Sequence, residues 1–208
     1  MFTGIVQGMA KLISVEKKKN FRTHTIELLG MMNDGLMVGN SVAHNGCCLT
    51  VTHIDGNLVS FDIIETTLRL TNLGELTEGM LVNIERAVKF GDEIGGHCIS
   101  GHISLTSKID KLIETENNLT ICFTVPLYSV PYVLEKGYIA LDGCSLTIGK
   151  IEGQCISVHL IPETLKRTLF GKRKVGDRIN VEFDSQTQAI VNTVKQLFIE
   201  KNSFFKTG

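Results

Sequence analysis

The chain has 208 residues, enough for one large domain or two small ones, and 43% of them are hydrophobic, enough for packed cores. Its formal net charge of −1 gives no electrostatic reason to expect a nucleic-acid or anionic-membrane partner. No apolar run approaches the roughly 18 residues that span a bilayer, and the N-terminus lacks the basic and apolar segments of a signal peptide. We therefore expect a cytoplasmic protein.

An internal repeat organises the chain. NGCCLT at 45–50 and DGCSLT at 142–147 are separated by 97 residues. The same offset relates Thr3-Gly4 to Ser100-Gly101, Asn83 to Asn180, and Glu85 to Glu182. Because the offset stays constant along the unit, we predict two copies of one module joined by the segment FGDEIGGH. The predicted domains are 1–97, 98–185 and a tail at 186–208.

Each copy has the pattern of β structure. The segments VSFDII, MLVNIERAV, LTICFTV, CISVHLI and RINVEF are short, apolar or β-branched, and partly alternating. Turn signals such as HNG at 44–46 and LDG at 141–143 separate them, and this spacing indicates a small closed barrel. PETLKRT predicts one short helix, with Pro162 at its first position, and TTLRLT is its counterpart.

The tail has no partner in the first copy. Ile190, Val194 and Leu197 lie four and three residues apart in SQTQAIVNTVKQLFIEK, 185–201, which predicts an amphipathic helix with a narrow apolar stripe. The stripe could pack on the chain's own barrel, but its narrowness and its place outside the repeat favour self-association.

The six cysteines are expected to be free thiols in a reducing compartment. Because most lie in apolar runs, we expect all except Cys48 to be buried and inert. His97, Cys98 and His102 are close enough in sequence to raise the possibility of zinc. However, there is no CxxC pair, and Cys47 and Cys48 should point to opposite faces of a strand, so no metal site is predicted.

The repeated stretches could form two ligand pockets. Strand alternation puts positions 48 and 50, and likewise 145 and 147, on one face, giving a thiol and a hydroxyl in one copy and two hydroxyls in the other. A turn that satisfies only local backbone groups is the alternative, but its retention in both copies favours binding. The copies differ at chemically able positions: Cys48 against Ser145, Ile5 against His102, Asp62 against His159, and Asn45 against Asp142.

A set of motifs spanning nearly the whole chain resembles the riboflavin synthases of the alpha-chain type: MFTGIVQG, SVAHNGCCLTV, TNLG, ERA, DEIGGH, SGHI, DGCSLT, VHLIPETL and TQAIV. The resemblance implies a mainly β fold of two similar six-stranded closed barrels and a C-terminal helix that assembles a homotrimer. It implies that each barrel binds one 6,7-dimethyl-8-ribityllumazine, and that a four-carbon unit passes between the two molecules. Riboflavin and 5-amino-6-ribitylaminouracil are the implied products, with no metal or redox cofactor and a possible association with lumazine synthase.

The resemblance also implies site residues and an active site between the N-terminal barrel of one subunit and the C-terminal barrel of another. The first ligand site would comprise Gly4, Ile5, Val6, Cys48, Leu49, Thr50, Asp62, Ile63, Ile64, Glu65, Thr66 and Thr67. The second would comprise Gly101, His102, Ile103, Ser145, Leu146, Thr147, His159, Leu160, Ile161, Pro162, Glu163 and Thr164, with Lys136 reaching a ligand across the subunit boundary. The catalytic candidates are Ser41, Cys48, His102, Thr147 and Asp184.

Two positions depart from the family pattern. Glu65 stands one place earlier than the glutamate of the family's ETL motif, and Ser185 follows Asp184 where proline is common. Two other functions remain open. A lumazine-binding antenna protein would share the fold without catalysis, although both sites and Cys48 are retained here. A flavin oxidoreductase should need a nicotinamide module, and no GxGxxG follows a strand.

Overall fold

A computed structural model describes residues 1–204, with side chains through Ile199. The first copy contains β1 (Gly8–Lys18), β2 (Phe21–Glu27), β3 (Ser41–His44), β4 (Cys47–Asp55), β5 (Leu58–Ile64), α1 (Glu65–Leu70) and β6 (Leu81–Arg86). The second contains β7 (Leu105–Glu114), β8 (Leu119–Thr124), β9 (Tyr138–Leu141), β10 (Cys144–Glu152), β11 (Cys155–Leu160), α2 (Pro162–Arg167) and β12 (Arg178–Phe183). The helix α3 (Ser185–Phe204) follows.

Each copy closes into a six-stranded antiparallel barrel, as predicted. The strand order is β1-β2-β5-β4-β3-β6 in the first barrel, and the second repeats it as β7-β8-β11-β10-β9-β12. The bulge between Leu12 and Ser14 recurs between Ile109 and Lys111, at the offset of the repeat. Closure leaves no unpaired sheet edge in either barrel.

Alternation along the strands fills the cores and sets what faces outward. In β4, Cys47, Leu49 and Val51 point into the first barrel, whereas Cys48 and Thr50 lie on its outer surface. In β10, Cys144, Leu146 and Ile148 point inward and Ser145 and Thr147 outward. The predicted sharing of a face is confirmed.

The repeated turns are two-residue hairpins that touch one another. Asn45 and Gly46 have φ of 45° and 80°, and Asp142 and Gly143 have the same values. Positive φ at both central positions defines the type I′ turn, for which Asn-Gly and Asp-Gly are preferred. A Cβ at Gly46 would lie 2.6 Å from the backbone nitrogen of Gly143, so a side chain here would push the barrels apart.

The short segment that precedes the first strand of each copy crosses to the other barrel. Phe2 and Ile99 pair as an antiparallel bridge, with N–H···O distances of 2.8 and 3.0 Å. Beyond the bridge, Val6 enters the core of the second barrel and Ile103 enters the core of the first. The copies are therefore interlocked units.

Buried amides join the barrels across the approximate two-fold axis. The Asn180 Nδ2 donates to the Asn45 carbonyl at 2.8 Å, and the Asn83 Nδ2 donates to the Asp142 carbonyl at 3.0 Å. Asn83 and Asn180 also accept from backbone N–H groups of the opposite copy, at 2.8 and 2.7 Å. Buried amides with complete partners fix the relative position of two surfaces more specifically than apolar contact does.

The helices form where the sequence predicts them. Pro162 is the first residue of α2, and α1 is its counterpart. Glu65 bonds Arg69 at 3.0 Å and Glu163 bonds Arg167, so the displaced glutamate keeps an i,i+4 partner. None of the helices in residues 1–204 is both long and apolar enough to cross a membrane.

The helix α3 touches its own barrel through polar groups. The Tyr132 hydroxyl donates to Asn192 at 2.7 Å, and the Lys195 ammonium lies 5.0 Å from the Tyr132 ring centre. The apolar stripe of Ile190, Val194 and Leu197 remains exposed.

The expectation of buried cysteines is wrong for three of them. Cys47 and Cys144 are buried, and burial raises the pKa of each to about 12. Cys98 is exposed in the connecting segment, and Cys122 and Cys155 are partly exposed. On β8 and β11 the apolar neighbours take the inward positions, so alternation turns the cysteines outward.

Candidate functional site

The candidate residues lie on two outer surfaces, one on each barrel. We call the first-barrel face the surface formed by Ser41, Cys48, Thr50, Asp62, Gly101 and His102. We call the second-barrel face the surface formed by Gly4, Ile5, Tyr138, Ser145, Thr147 and His159.

This grouping corrects the assignment made from the sequence, which placed Gly4, Ile5 and Val6 with Cys48. The Cys48 backbone N–H donates to the Gly101 carbonyl at 2.9 Å, and the Ser145 N–H donates to the Gly4 carbonyl at 2.8 Å. Each glycine segment therefore contributes to the face of the other copy's barrel, because the chain crosses over at the Phe2–Ile99 bridge.

Glycine is required at both crossing points. Gly4 and Gly101 have φ of 78° and 83°, which side chains rarely adopt. A Cβ at Gly4 would lie 2.5 Å from the Ser145 Cβ, and one at Gly101 would lie 2.5 Å from the Cys48 Cβ. The close approach brings backbone directly against the two chemically distinct side chains.

Two buried carboxylates hold these segments. Glu85 accepts from the Thr3 N–H at 2.6 Å, the Thr3 hydroxyl at 2.8 Å and the Gly4 N–H at 3.1 Å. Glu182 accepts from Ser100 and Gly101 in the same way, at 2.7, 2.7 and 3.0 Å. Burial raises the pKa of both carboxyls, and the hydrogen bonds act in the opposite direction. The repeat alignment relates both glutamates and both segments, but it does not show that each carboxylate holds a segment in place.

The first-barrel face carries several kinds of polar group. Ser41 lies opposite Thr50 across β3 and β4, and Cys48, opposite Ala43, is half-buried. Asp62 is exposed, and its Oδ1 accepts from the Thr23 hydroxyl at 2.6 Å. The exposed imidazole of His102 completes the face. Thiol, hydroxyl, carboxylate and imidazole groups are therefore available to one bound molecule.

The second-barrel face is covered by a residue from the connecting segment. His97 Nδ1 lies 2.6 Å from the Ser145 hydroxyl, and its ring stacks on Tyr138 at 5.0 Å. Burial lowers the pKa of His97, and the nearby Asp184 opposes that shift. The sequence raised His97 only as a zinc candidate. In the part of the chain with described side chains, no three His, Cys, Asp or Glu residues form a metal-binding group.

Tyr138 and His159 complete this face. Tyr138 takes the place that Ser41 has in the first barrel and lies opposite Thr147. His159 takes the place of Asp62, and its Nδ1 lies 2.8 Å from the Thr120 hydroxyl. The two faces therefore have one geometry and different chemistry.

Asp184 and Lys136 lie beside the second-barrel face. Asp184 caps α3 by accepting from the Thr187 N–H at 2.9 Å and hydroxyl at 2.6 Å. Partial burial raises the pKa of Asp184, but these hydrogen bonds outweigh it, and the net pKa is lowered. Lys136 has φ of 64° at a position where the first copy has Gly39, and its N–H donates to the Ile148 carbonyl at 2.9 Å. A non-glycine residue at positive φ is uncommon, and the first copy has glycine at this position.

The remaining candidate residues differ in where their side chains point. Six have side chains in the barrel cores and can offer a ligand only backbone: Val6, Leu49, Ile63, Ile103, Leu146 and Leu160. Five are exposed around the starts of α1 and α2: Ile64, Glu65, Thr66, Ile161 and Pro162. Glu163 is exposed, while Thr67 and Thr164 give their carbonyls to the Thr71 and Thr168 hydroxyls at 2.7 Å. Ile64 and Ile161, each 60% exposed, give both faces an apolar edge suited to a flat ring.

Comparison with known proteins agrees with this geometry. The lumazine binding domain model matches the chain twice, at residues 3–87 and 100–184. The riboflavin synthase of Escherichia coli (strain K12) is 56% identical over 98% of this chain and 96% of that protein. The riboflavin synthase of Buchnera aphidicola subsp. Schizaphis graminum (strain Sg) is 48% identical over 95% of each.

Solved structures with the same fold hold ligands of one type. LumP complexed with 6,7-dimethyl-8-(1'-D-ribityl) lumazine is 28% identical, with a TM-score of 0.81 over 89% of this chain and all of that chain. LumP complexed with riboflavin is 30% identical, with a TM-score of 0.82 over the same shares. The two matched domains and the near full-length identity to curated enzymes show that this chain belongs to the riboflavin synthase family.

Proposed function

We propose that the chain converts two molecules of 6,7-dimethyl-8-ribityllumazine into riboflavin and 5-amino-6-(D-ribitylamino)uracil by transfer of a four-carbon unit. The two substrate molecules contain all the atoms of the two products, so the reaction is a dismutation. The observation that carries the proposal is the pair of faces with one geometry and different side chains, Cys48 and Asp62 on one and Ser145 and His159 on the other. Two similar pockets can then bind the same substrate in two different chemical roles.

Holding two rings in register would supply much of the rate, because orientation converts a bimolecular step into an effectively unimolecular one. Within one chain, Cys48 lies opposite Ala43 and Ser145 opposite Ala140, and the buried cluster of Phe2, Ala43, Ile99 and Ala140 separates the two faces. We therefore propose that the first-barrel face of one subunit works with the second-barrel face of another.

The chemistry assigned to the faces follows from their groups. The methyl group on C7 of one lumazine is acidic because its anion delocalises into the ring, and His102 or a hydroxyl-bound water would remove the proton. Cys48, Ser41 or water would add at C7 of the other lumazine. Thr147 lies on the second-barrel face and Asp184 beside it, and hydrogen bonds from Thr187 lower the pKa of Asp184. Lys136 would reach the ligand of a neighbouring subunit.

The tail supports assembly into a homotrimer. The helix α3 contacts its own barrel through Asn192 and Lys195, and it leaves Ile190, Val194 and Leu197 exposed on another side. An exposed apolar stripe on a well-formed helix favours association with copies of itself. The cytoplasmic location and the association with lumazine synthase stay predictions.

A second candidate function is binding without catalysis, as in an antenna protein. The LumP structures favour it because that fold holds lumazine and riboflavin as complexes. One assay separates the two functions: the purified protein is incubated with the lumazine alone, and riboflavin absorbance is followed over time. Formation of riboflavin and the aminouracil in a one-to-one ratio is expected. Stable binding of lumazine with no riboflavin would establish the antenna function instead.

A further inference from the structure

A cavity of about 470 Å³ lies where the two barrels meet, away from both faces. Its walls include both members of several repeat pairs: Glu75 and Lys172, Leu76 and Arg173, and Leu81 and Arg178. Because each pair is related by the offset of 97, the cavity lies at the approximate two-fold axis of the chain.

The two copies give this cavity walls of opposite character. Most of the apolar side chains in the wall come from the first copy, as Leu76, Met80 and Leu81, whereas all of its cations come from the second copy, as Lys108, Lys172, Arg173 and Arg178. An apolar wall opposite a cationic wall matches an amphipathic anion. The divergence between the copies at these positions is as marked as it is on the two faces.

Part of the positive charge is already neutralised. Arg178 donates to Glu75 at 2.7 Å, to Thr106 at 2.8 Å and to the Arg69 carbonyl at 3.3 Å. Asp177 also lines the cavity, and its carboxylate accepts the Lys174 N–H at 2.9 Å. Arg178 is therefore engaged within the protein, whereas Asp177 pairs with no cation among the described side chains and leaves one negative charge in the cavity wall.

Other donors remain unsatisfied. Arg173 pairs through Nη2 with the fully buried Asp142, but its Nε is buried and finds no acceptor among the described residues. Within the same part of the chain, Lys108 and Lys172 form no ion pair. A donor with almost no accessible surface cannot reach a ligand in the cavity, so the ammonium groups of Lys108 and Lys172 are the donors left for an oxyanion.

We propose that this cavity binds a small organic phosphate. The phosphate oxygens would accept from the ammonium groups of Lys108 and Lys172, and the organic group would lie on Leu76, Met80 and Leu81. A phosphate has enough oxygens to accept from both ammonium groups at once, and the apolar side chains favour an attached ring over the free ion.

Binding here would strengthen the contact between the barrels. Arg173 holds Asp142, and Asp142 accepts from the Asn180 N–H at 2.9 Å and from the Asn72 Nδ2 at 2.8 Å. A ligand that bridges both copies binds only the folded, joined state and raises its melting temperature.

The test uses phenyl phosphate, inorganic phosphate and phenol as probes, at matched ionic strength, by calorimetry and thermal unfolding of the full chain. We expect phenyl phosphate to bind once per chain and raise Tm, and to bind roughly tenfold more tightly than inorganic phosphate because its ring is buried. Phenol alone should not bind. The lumazine should not displace phenyl phosphate, because neither face contributes to the cavity.

Lys172→Ala should weaken phenyl phosphate binding roughly tenfold through loss of one charge-assisted hydrogen bond. The matched control is Lys174→Ala, since Lys174 is exposed in the same segment and does not line the cavity. Both variants should form riboflavin at the rate of the unchanged protein. Equal affinity in the two variants would overturn the inference, as would displacement by lumazine or abolition by chloride, the mark of an adventitious ion only.

Discussion

At the scale of single residues, Glu85 and Glu182 link each barrel to the face of the other. Each carboxylate belongs to one barrel and holds a segment that lies on the other barrel's face. An ionised carboxylate that accepts three hydrogen bonds is a strong anchor, because bonds to charged groups are stronger than neutral ones. The order of each face therefore depends on one of these two carboxylates.

Replacing either glutamate with glutamine should loosen one segment selectively. In Glu85→Gln an NH2 group replaces one acceptor, which costs about 2 kcal/mol. Hydrogen exchange followed by mass spectrometry should show faster exchange at residues 2–6 in this variant, by roughly tenfold or more, with 99–103 unchanged. Glu182→Gln should give the reverse pattern and serves as the matched control. Equal loosening of both segments in either variant would contradict the crossed arrangement.

His102 carries a prediction about the reaction itself. If its imidazole removes the methyl proton, His102→Gln should lower the single-turnover rate by roughly 10²- to 10⁴-fold, the range of general base catalysis. Lumazine binding should change little, because His102 is exposed and its N–H bonds the Ser100 hydroxyl through the backbone. His53→Gln, an exposed histidine outside both faces, is the control. An unchanged rate would remove His102 from the mechanism.

The residues of the two faces show how much of the site the sequence alone predicts. The outward placement of Cys48 and Ser145 follows from local alternation, which a single strand specifies, and the structure confirms it. The docking of Gly4 on Ser145 depends on a chain crossing that no local pattern records, so the grouping by sequence order was wrong. His97 was missed because its partner, Ser145, lies 48 residues away in a different element.

At the scale of elements, the two barrels differ in their cores. His24 on β2 and His44 on β3 are fully buried, and neither ring forms a hydrogen bond with a described residue. Their counterparts in the second barrel are Ile121 and Leu141. The His44 ring meets the Phe61 ring at 4.3 Å, edge to face, so these histidines pack as apolar residues.

This difference predicts an acid-sensitive first barrel. Burial, and secondarily Arg22, lowers the pKa of His24 to about 4, and burial, and secondarily His24, lowers that of His44 to about 3. Both are neutral when folded but protonate near pH 6.5 when unfolded. Their contribution is therefore intact above about pH 6.5 and is lost as pH falls towards the folded values, by about 2 kcal/mol for each at pH 5.

Urea unfolding at pH 7 and pH 5 measures this loss. The double variant His24→Ile, His44→Leu copies the second barrel and should lose much less stability over that range than the unchanged protein. Effects of carboxylates are common to both proteins and cancel in the difference. Identical pH dependence of the two proteins would contradict the assignment.

The helix α3 gives a second prediction at this scale. Leu197→Glu places a charge in the exposed apolar stripe and should convert the assembly to monomers in sedimentation measurements. Because Leu197 is 54% exposed within the chain, the monomer's circular dichroism and barrel stability should be little changed. Gln196→Glu, a charge added off the stripe on the same helix, should leave assembly intact. A monomer that retains full activity would show that the reaction needs one chain only.

At the scale of the whole molecule, the repeat places two related faces on one chain and separates them. The contact between Gly46 and Gly143, the bridge of Phe2 with Ile99, and the buried amides together make the barrels one interlocked unit. In such a unit the faces have little freedom to turn towards each other. If the reaction uses one face of each kind, as proposed, the duplication supplies both halves of the site and assembly of two chains brings them together.

Mixing of two inactive variants tests this arrangement directly. Thr50→Arg should block the first-barrel face and Thr147→Arg the second, since both hydroxyls point outward and adding bulk there does not disturb a core. Each variant alone should form riboflavin at a small fraction of the normal rate. Mixed assemblies, formed by unfolding and refolding the two together, should regain activity, because one subunit's intact first face can meet the other's intact second face.

The pattern of rescue distinguishes the possibilities. If the two faces of one chain worked together, no chain in the mixture would have both, and activity would stay at the level of the separate variants. The rescue should also need the tail helix, so mixtures that additionally carry Leu197→Glu should remain inactive. Recovery in the first mixture and its loss in the second would assign the reaction to pairs of faces contributed by different subunits.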